Sequence, residues 1–155
     1  MSHIRTSVEK SIAVSPERVY GFLTDYRNGR PKILPPDHFS RYVVEEGGRG
    51  AGTIVRYLLR AGGRERAYRM RAEELDEGSV IREHDTESSF VTTWELMPGG
   101  EGTLVRLTIE WDGAGGISGF FERLFAPGGV RRVYAEVLER LAASVAETPD
   151  ARRGG

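Results

Sequence analysis

A long apolar stripe near the C-terminus constrains the fold of this chain more than any other feature. Val130, Val133, Tyr134, Val137, Leu138, Leu141 and Val145 recur at steps of three and four residues, the spacing that places side chains on one helix face. A helix from about Val130 to Glu147 is about 27 Å long at 1.5 Å per residue. Such a stripe must be covered, and the sequence before it supplies strands rather than helices. Immediately upstream, Val105, Leu107, Ile109 and Trp111 alternate with Arg106, Thr108 and Glu110, the period-two pattern of a strand. Gly113, Gly115 and Gly116 join the two, so the helix is expected to fold back across a sheet.

The rest of that sheet is legible from turn chemistry. Arg5 to Val14 reads as a first strand, with Val8, Ile12 and Val14 on one side. Ser15 stands at a helix N-cap position and Pro16 at the first helical position, where its missing N–H costs nothing. Val19, Tyr20, Phe22 and Leu23 give this helix an apolar face, and it should end near Asp25. Gly29, Pro31, Pro35 and Pro36 predict a short irregular helix and then a turn between Tyr26 and Asp37. From Phe39 onward the period is two. Glycines at 47, 48, 50 and 52, Gly62-Gly63, Glu77-Gly78, Ser88-Ser89 and Pro98-Gly99-Gly100 divide six strand-like runs joined by hairpin-sized turns. Six such runs in succession predict an antiparallel meander, so the fold class is α+β.

At 155 residues, with no internal repeat and no linker, the chain is expected to form a single domain over 1–147 with a flexible tail over 148–155. The 22 basic and 23 acidic residues nearly cancel, which leaves no global positive field for a nucleic-acid backbone. There is no cysteine, so disulfides, thiol nucleophiles and cysteine metal sites are excluded. His3, His38 and His84 are scattered without ligand spacing; neither a metal nor another cofactor is expected. No run approaches the ~20 apolar residues of a membrane span, and Met1 to Lys10 lacks the apolar core of a signal peptide. A cytoplasmic monomer or homodimer without stable membrane insertion is the expectation.

Three local motifs carry a resemblance: Val14-Ser15-Pro16-Glu17-Arg18-Val19-Tyr20, the Glu73-Glu74-Leu75-Asp76-Glu77-Gly78 turn, and Trp94-Glu95-Leu96 followed by Gly102-Thr103-Leu104-Val105. With the order of elements, they make the chain from about Thr6 to Glu147 similar to the START-like superfamily, within it the group of polyketide cyclase/dehydrase and lipid-transport proteins. The resemblance implies a helix-grip fold: a curved antiparallel sheet of about seven strands around a long C-terminal helix, with two short helices after the first strand. It also implies a ligand cavity between sheet and helix, filled in family members by lipids, polyketides, sterols or hormones.

By alternation, Val55, Tyr57, Leu59, Tyr68, Met70, Phe90, Thr92, Trp94, Leu107, Ile109 and Trp111 should face the helix, which contributes Tyr134. Each alone reads as plain core; together Tyr57, Tyr68, Thr92 and Trp94 bring polar atoms to an apolar hollow, the pattern of a small-molecule site. Phe120, Phe121 and Leu124, between glycines on both sides, read either as an ordinary packed helix or as a lid over that site. Ser79 to Thr86 has no apolar face. If the Val80 parity points inward, Arg82 and His84 enter the cavity; if the Ile81 parity does, Glu83 and Asp85 enter; an exposed edge strand needs neither. Three functions follow: binding of a small hydrophobic molecule; a cyclase- or aromatase-like enzyme in which Arg82, His84 or Tyr57 holds an enolate and moves a proton; or a protein-interaction module of the chaperone-activator type. Asp37 and His38 stand either in a turn or at a cavity mouth, with the turn the plainer reading.

Overall fold

The computed structural model describes residues 3–61, 64–112 and 129–147. In chain order the elements are β1 (His3–Ile12), α1 (Pro16–Leu23), a 3-10 helix (Arg30–Ile33), β2 (Phe39–Glu46), β3 (Ile54–Ala61), β4 (Arg64–Asp76), β5 (Val80–Asp85), β6 (Val91–Gly99), β7 (Gly102–Asp112) and α2 (Gly129–Glu147). Seven antiparallel strands form one sheet in the order β1-β7-β6-β5-β4-β3-β2. β2 to β7 are therefore a meander, and β1 closes onto β7 by pairing from His3↔Asp112 to Ile12↔Thr103. The Gly62-Gly63 turn, the glycine joint, the possible lid and the tail lie outside the described residues.

The predicted periodicities place the core. Val133, Tyr134, Val137, Leu138, Leu141 and Val145 of α2 are all buried, as are Val55, Tyr57, Leu59, Tyr68 and Met70 of β3 and β4. Val105, Leu107, Ile109 and Trp111 form the matching row on β7. Phe39, Tyr57, Tyr68 and Phe90 make a chain of ring contacts from β2 through β3 and β4 to the residue just before β6, with centroids 5.4, 6.0 and 5.0 Å apart. Tyr134 of α2 meets the same row edge-on at Phe39, 6.3 Å away, a favourable aromatic arrangement.

Local signals set the helix ends. Ser15 Oγ accepts a hydrogen bond from the Arg18 N–H at 3.4 Å, with Pro16 opening α1. The last turn of α2 holds no basic residue; Arg18 supplies one from α1 by donating to the Val145 carbonyl at 3.3 Å, which satisfies a terminal acceptor and offsets the negative helix end. β1 ends two residues earlier than expected. Beyond Ile12 the chain bends, and the Thr103 hydroxyl takes over the role of the ladder by donating to the Val14 carbonyl at 2.7 Å.

That bend requires a glycine opposite it. A Cβ at Gly102 would stand 2.0 Å from the Ile12 carbonyl oxygen and 2.9 Å from Ala13 Cα, both of them backbone atoms. Gly102→Ala is expected to destabilise the fold by about 1–3 kcal/mol, the usual cost of overpacking. Urea unfolding checks this; a midpoint equal to the parent's would contradict it.

A cavity with a charged, paired floor

Glu83 is the centre of the site. β5 buries its Ile81 parity, because Ile81, fully buried, sits opposite Trp94 on β6. The next inward positions are Glu83 and Asp85, at 6% and 3% exposure. Of the two parities the sequence leaves open, the Ile81 one is therefore inward, and the candidates Arg82 and His84 do not enter the cavity: Arg82 is exposed, and His84 lies on the outer face with Nε2 2.9 Å from Glu73 Oε1. Nor is β5 an edge strand, for it is the central strand of the sheet. The physical reason is the single apolar anchor at Ile81, which outweighs Val80 at the frayed start of the strand.

A buried carboxylate needs partners, and Glu83 has four. Its Oε2 accepts from the Tyr26 hydroxyl at 2.5 Å and pairs with Arg30 Nη1 at 2.6 Å. Its Oε1 accepts from Thr92 Oγ1 at 3.2 Å and from the Trp94 indole N–H at 3.3 Å. Thr92 lies directly across the β5–β6 ladder, and Ala72, directly across on β4, leaves room beside the carboxylate.

Arg30 comes from the 3-10 helix and is as deeply buried, at 5% exposure. Its Nη2 donates to the Leu23 carbonyl at 3.0 Å, closing the end of α1, and its guanidinium lies 4.6 Å from the Tyr26 ring centroid and 5.1 Å from that of Trp94. Gly29 permits this approach, since a Cβ there would meet the Phe22 carbonyl oxygen at 2.4 Å. Burial, the largest single influence, would lower the basicity of Arg30, but the Glu83 charge and hydrogen bond together with the neighbouring Tyr26 and Tyr42 hydroxyls outweigh it and hold the guanidinium protonated. Burial, reinforced by the Glu83 charge, likewise raises the Tyr26 hydroxyl well above its ordinary value.

Above this floor lies a cavity of about 30 Å³, bounded by Arg30, Leu34, Phe39, Tyr42, Val55, Tyr57, Met70, Glu83, Thr92, Trp94, Tyr134 and Val137. That is room for about two water molecules. The Tyr134 hydroxyl is buried and makes no hydrogen bond, and so is the Arg30 Nε–H. Burial raises the Tyr57 and Tyr134 hydroxyls above the usual phenol range, so both are neutral donors near neutral pH. The floor is thus polar, internally paired and preformed, while the wall is aromatic and aliphatic.

Of the residues expected to line a site, Val55, Tyr57, Met70, Thr92, Trp94 and Tyr134 do border this cavity. Leu59, Tyr68, Phe90, Leu107, Ile109 and Trp111 are buried in the core but form no part of its wall. Phe120, Phe121 and Leu124 lie outside the described residues. Asp85 faces inward yet serves the β5–β6 turn, accepting from the Arg69 N–H at 3.0 Å and the Ser88 hydroxyl at 2.6 Å. His38 is in a turn after Pro35, its ring Nδ1 3.0 Å from the Arg60 carbonyl. The loop of glycines 47 to 52 is pinned to the end of α1, with the Tyr26 N–H donating to the Gly48 carbonyl and the Gly50 N–H to that of Thr24, at 2.9 and 3.0 Å.

Arg30 and Tyr42 border the cavity although periodicity did not single them out, whereas Glu83 was one of the two alternatives for its strand. Tyr42 enters because β2 is bulged: register shifts between Ser40 and Val43, and Arg41 takes a left-handed φ of 53°. The extra residue reverses the parity after Phe39 and turns Tyr42 inward, where its hydroxyl donates to the Tyr26 carbonyl at 2.7 Å.

None of the described helices is long and apolar enough to cross a membrane. No curated protein matches the sequence. A family model described as polyketide cyclase/dehydrase and lipid transport matches residues 3–146. Among solved structures, the KanY protein is 39% identical, with 94% of this chain and 99% of that one covered and a TM-score of 0.83. TTHA0849 from Thermus thermophilus is 25% identical over 94% of this chain and all of its own, with a TM-score of 0.74. The Zhui aromatase/cyclase from Streptomyces shares the fold at 18% identity, covering 97% of this chain and 98% of its own with a TM-score of 0.73. A seven-stranded sheet closed by a long helix, a family match across nearly the whole chain and a 39% identical relative agree: this chain belongs to the polyketide cyclase/dehydrase and lipid transport family.

Proposed function

We propose that this protein binds a small hydrophobic molecule in the cavity between the sheet and α2. One observation carries the reading: Tyr134, whose buried hydroxyl has no hydrogen-bond partner, borders an aromatic-walled cavity whose charges among the described residues, Arg30 and Glu83, are already matched to each other. Sparse polar groups orient a ligand in such a site, and apolar burial supplies most of its affinity, at roughly 25 cal/mol per Å² before the costs of association. The enclosed 30 Å³ is far below the roughly 300 Å³ of an ordinary ligand pocket. The ligand's apolar body therefore requires wall side chains to turn aside, while its polar end meets groups already in place.

The enzymatic reading now rests on Glu83 and Tyr57, because Arg82 and His84 face away; Tyr57 borders the cavity, and burial keeps its hydroxyl protonated, so it supplies no base near neutral pH. Four donors engage the Glu83 oxygens, which leaves no free lone pair aimed at a substrate proton. Binding without turnover is accordingly the better-supported reading. An interaction module would need an exposed apolar patch, and among the described residues only Val43 and Leu75 are large, hydrophobic and exposed, on separate strands.

Titration with N-phenylnaphthylamine, a dye that brightens on leaving water, tests the proposal. Saturable one-to-one binding is expected, weakened about tenfold or more by Val137→Phe, which fills the cavity from the helix side. Binding that never saturates, or that ignores this substitution in a folded variant, would overturn it.

A further inference from the structure

The charge arrangement of the floor bears on which hydrophobic molecules fit, an inference that rests on the binding reading above. We infer that the cavity selects neutral ligands ending in a hydrogen-bond-accepting oxygen, such as ketones, esters or phenols, and rejects carboxylates of the same shape.

Three observations combine. The Arg30 guanidinium is paired with Glu83 at 2.6 Å, so the floor carries no net positive charge to offer an anion. Glu83 itself borders the cavity with its charge buried at 6% exposure. A ligand carboxylate would bring a second negative charge beside the first in a poorly hydrated space and would lose its own water shell in doing so. Both groups that remain unsatisfied in residues bordering the cavity can donate: the Arg30 Nε–H only donates, and the Tyr134 hydroxyl donates or accepts. An acceptor oxygen is the one ligand group that satisfies both.

The fold makes this pairing hard to undo. Arg30 is held at its other end by the Leu23 carbonyl, between the Tyr26 and Trp94 rings, and Glu83 is held by Tyr26, Thr92 and Trp94. An incoming carboxylate would have to displace Glu83 from all of these contacts to take over the guanidinium. A carbonyl oxygen leaves the Arg30–Glu83 pair in place.

The test is calorimetric titration of the purified protein at neutral pH with three molecules of matched shape: naphthyl methyl ketone, naphthoate and ethylnaphthalene. The ketone is expected to bind about tenfold or more tightly than naphthoate. It should also exceed ethylnaphthalene by about 2- to 10-fold, the contribution of one hydrogen bond. Tyr134→Phe, which removes a hydroxyl that holds no other residue, should sharply reduce the advantage of ketone over ethylnaphthalene. Naphthoate binding as well as the ketone, or Tyr134→Phe leaving the ketone's advantage intact, would overturn the inference while the binding reading stands. Failure of all three molecules to bind would instead count against the binding reading itself.

Discussion

Arg30→Met is expected to lower the stability of the fold by about 3–5 kcal/mol, because it strands the buried Glu83 charge without its counter-charge. Adding Glu83→Gln to Arg30→Met removes the stranded charge and keeps an acceptor for Thr92 and Trp94, so the double variant should recover much of the loss. Urea unfolding reads both effects, the loss in the single variant and the recovery in the double one. A double variant no more stable than Arg30→Met would show that the pair is not coupled as its geometry indicates.

Trp94→Ala is the second large effect. Trp94 is 3% exposed, opposes Ile81 across the β5–β6 ladder, donates to Glu83 and lies beside the Arg30 guanidinium. Truncation removes apolar burial, leaves a cavity and deletes one of the four supports of the carboxylate, at a cost of about 3–5 kcal/mol. For a chain of this size that lowers the thermal midpoint by about 10 °C or more. Trp94→Phe keeps most of the volume but not the N–H, and should cost about 1.5–3 kcal/mol, the value of a hydrogen bond to a charged group. Thermal unfolding followed by circular dichroism separates the two. If the phenylalanine variant is as stable as the parent, the indole N–H does not support Glu83.

How much of this was legible in the sequence follows from which forces act locally. The stripe from Val133 to Val145, the alternation in β3, β4, β6 and β7 and the Ser15-Pro16 cap are each fixed by residues a few positions apart, and the elements stand where those patterns place them. The parity of β5 was open, because Val80 and Ile81 offer competing anchors and only pairing with Trp94 decides between them. Arg30 and Glu83 are 53 positions apart in the chain and become partners only when the 3-10 helix closes on the sheet. A charged residue between Gly29 and Pro31 gives no periodic signal of burial. Tyr42 was hidden for another reason: one left-handed residue, Arg41, inverts the faces of β2, and alternation cannot foresee a bulge.

Native mass spectrometry of the protein taken gently from its own cells tests most directly whether the cavity is a binding site. The account predicts one small molecule per folded chain, neutral and oxygen-bearing, released on unfolding and lost from Val137→Phe. A folded chain that emerges bare, and stays bare when incubated with naphthyl methyl ketone, would contradict it.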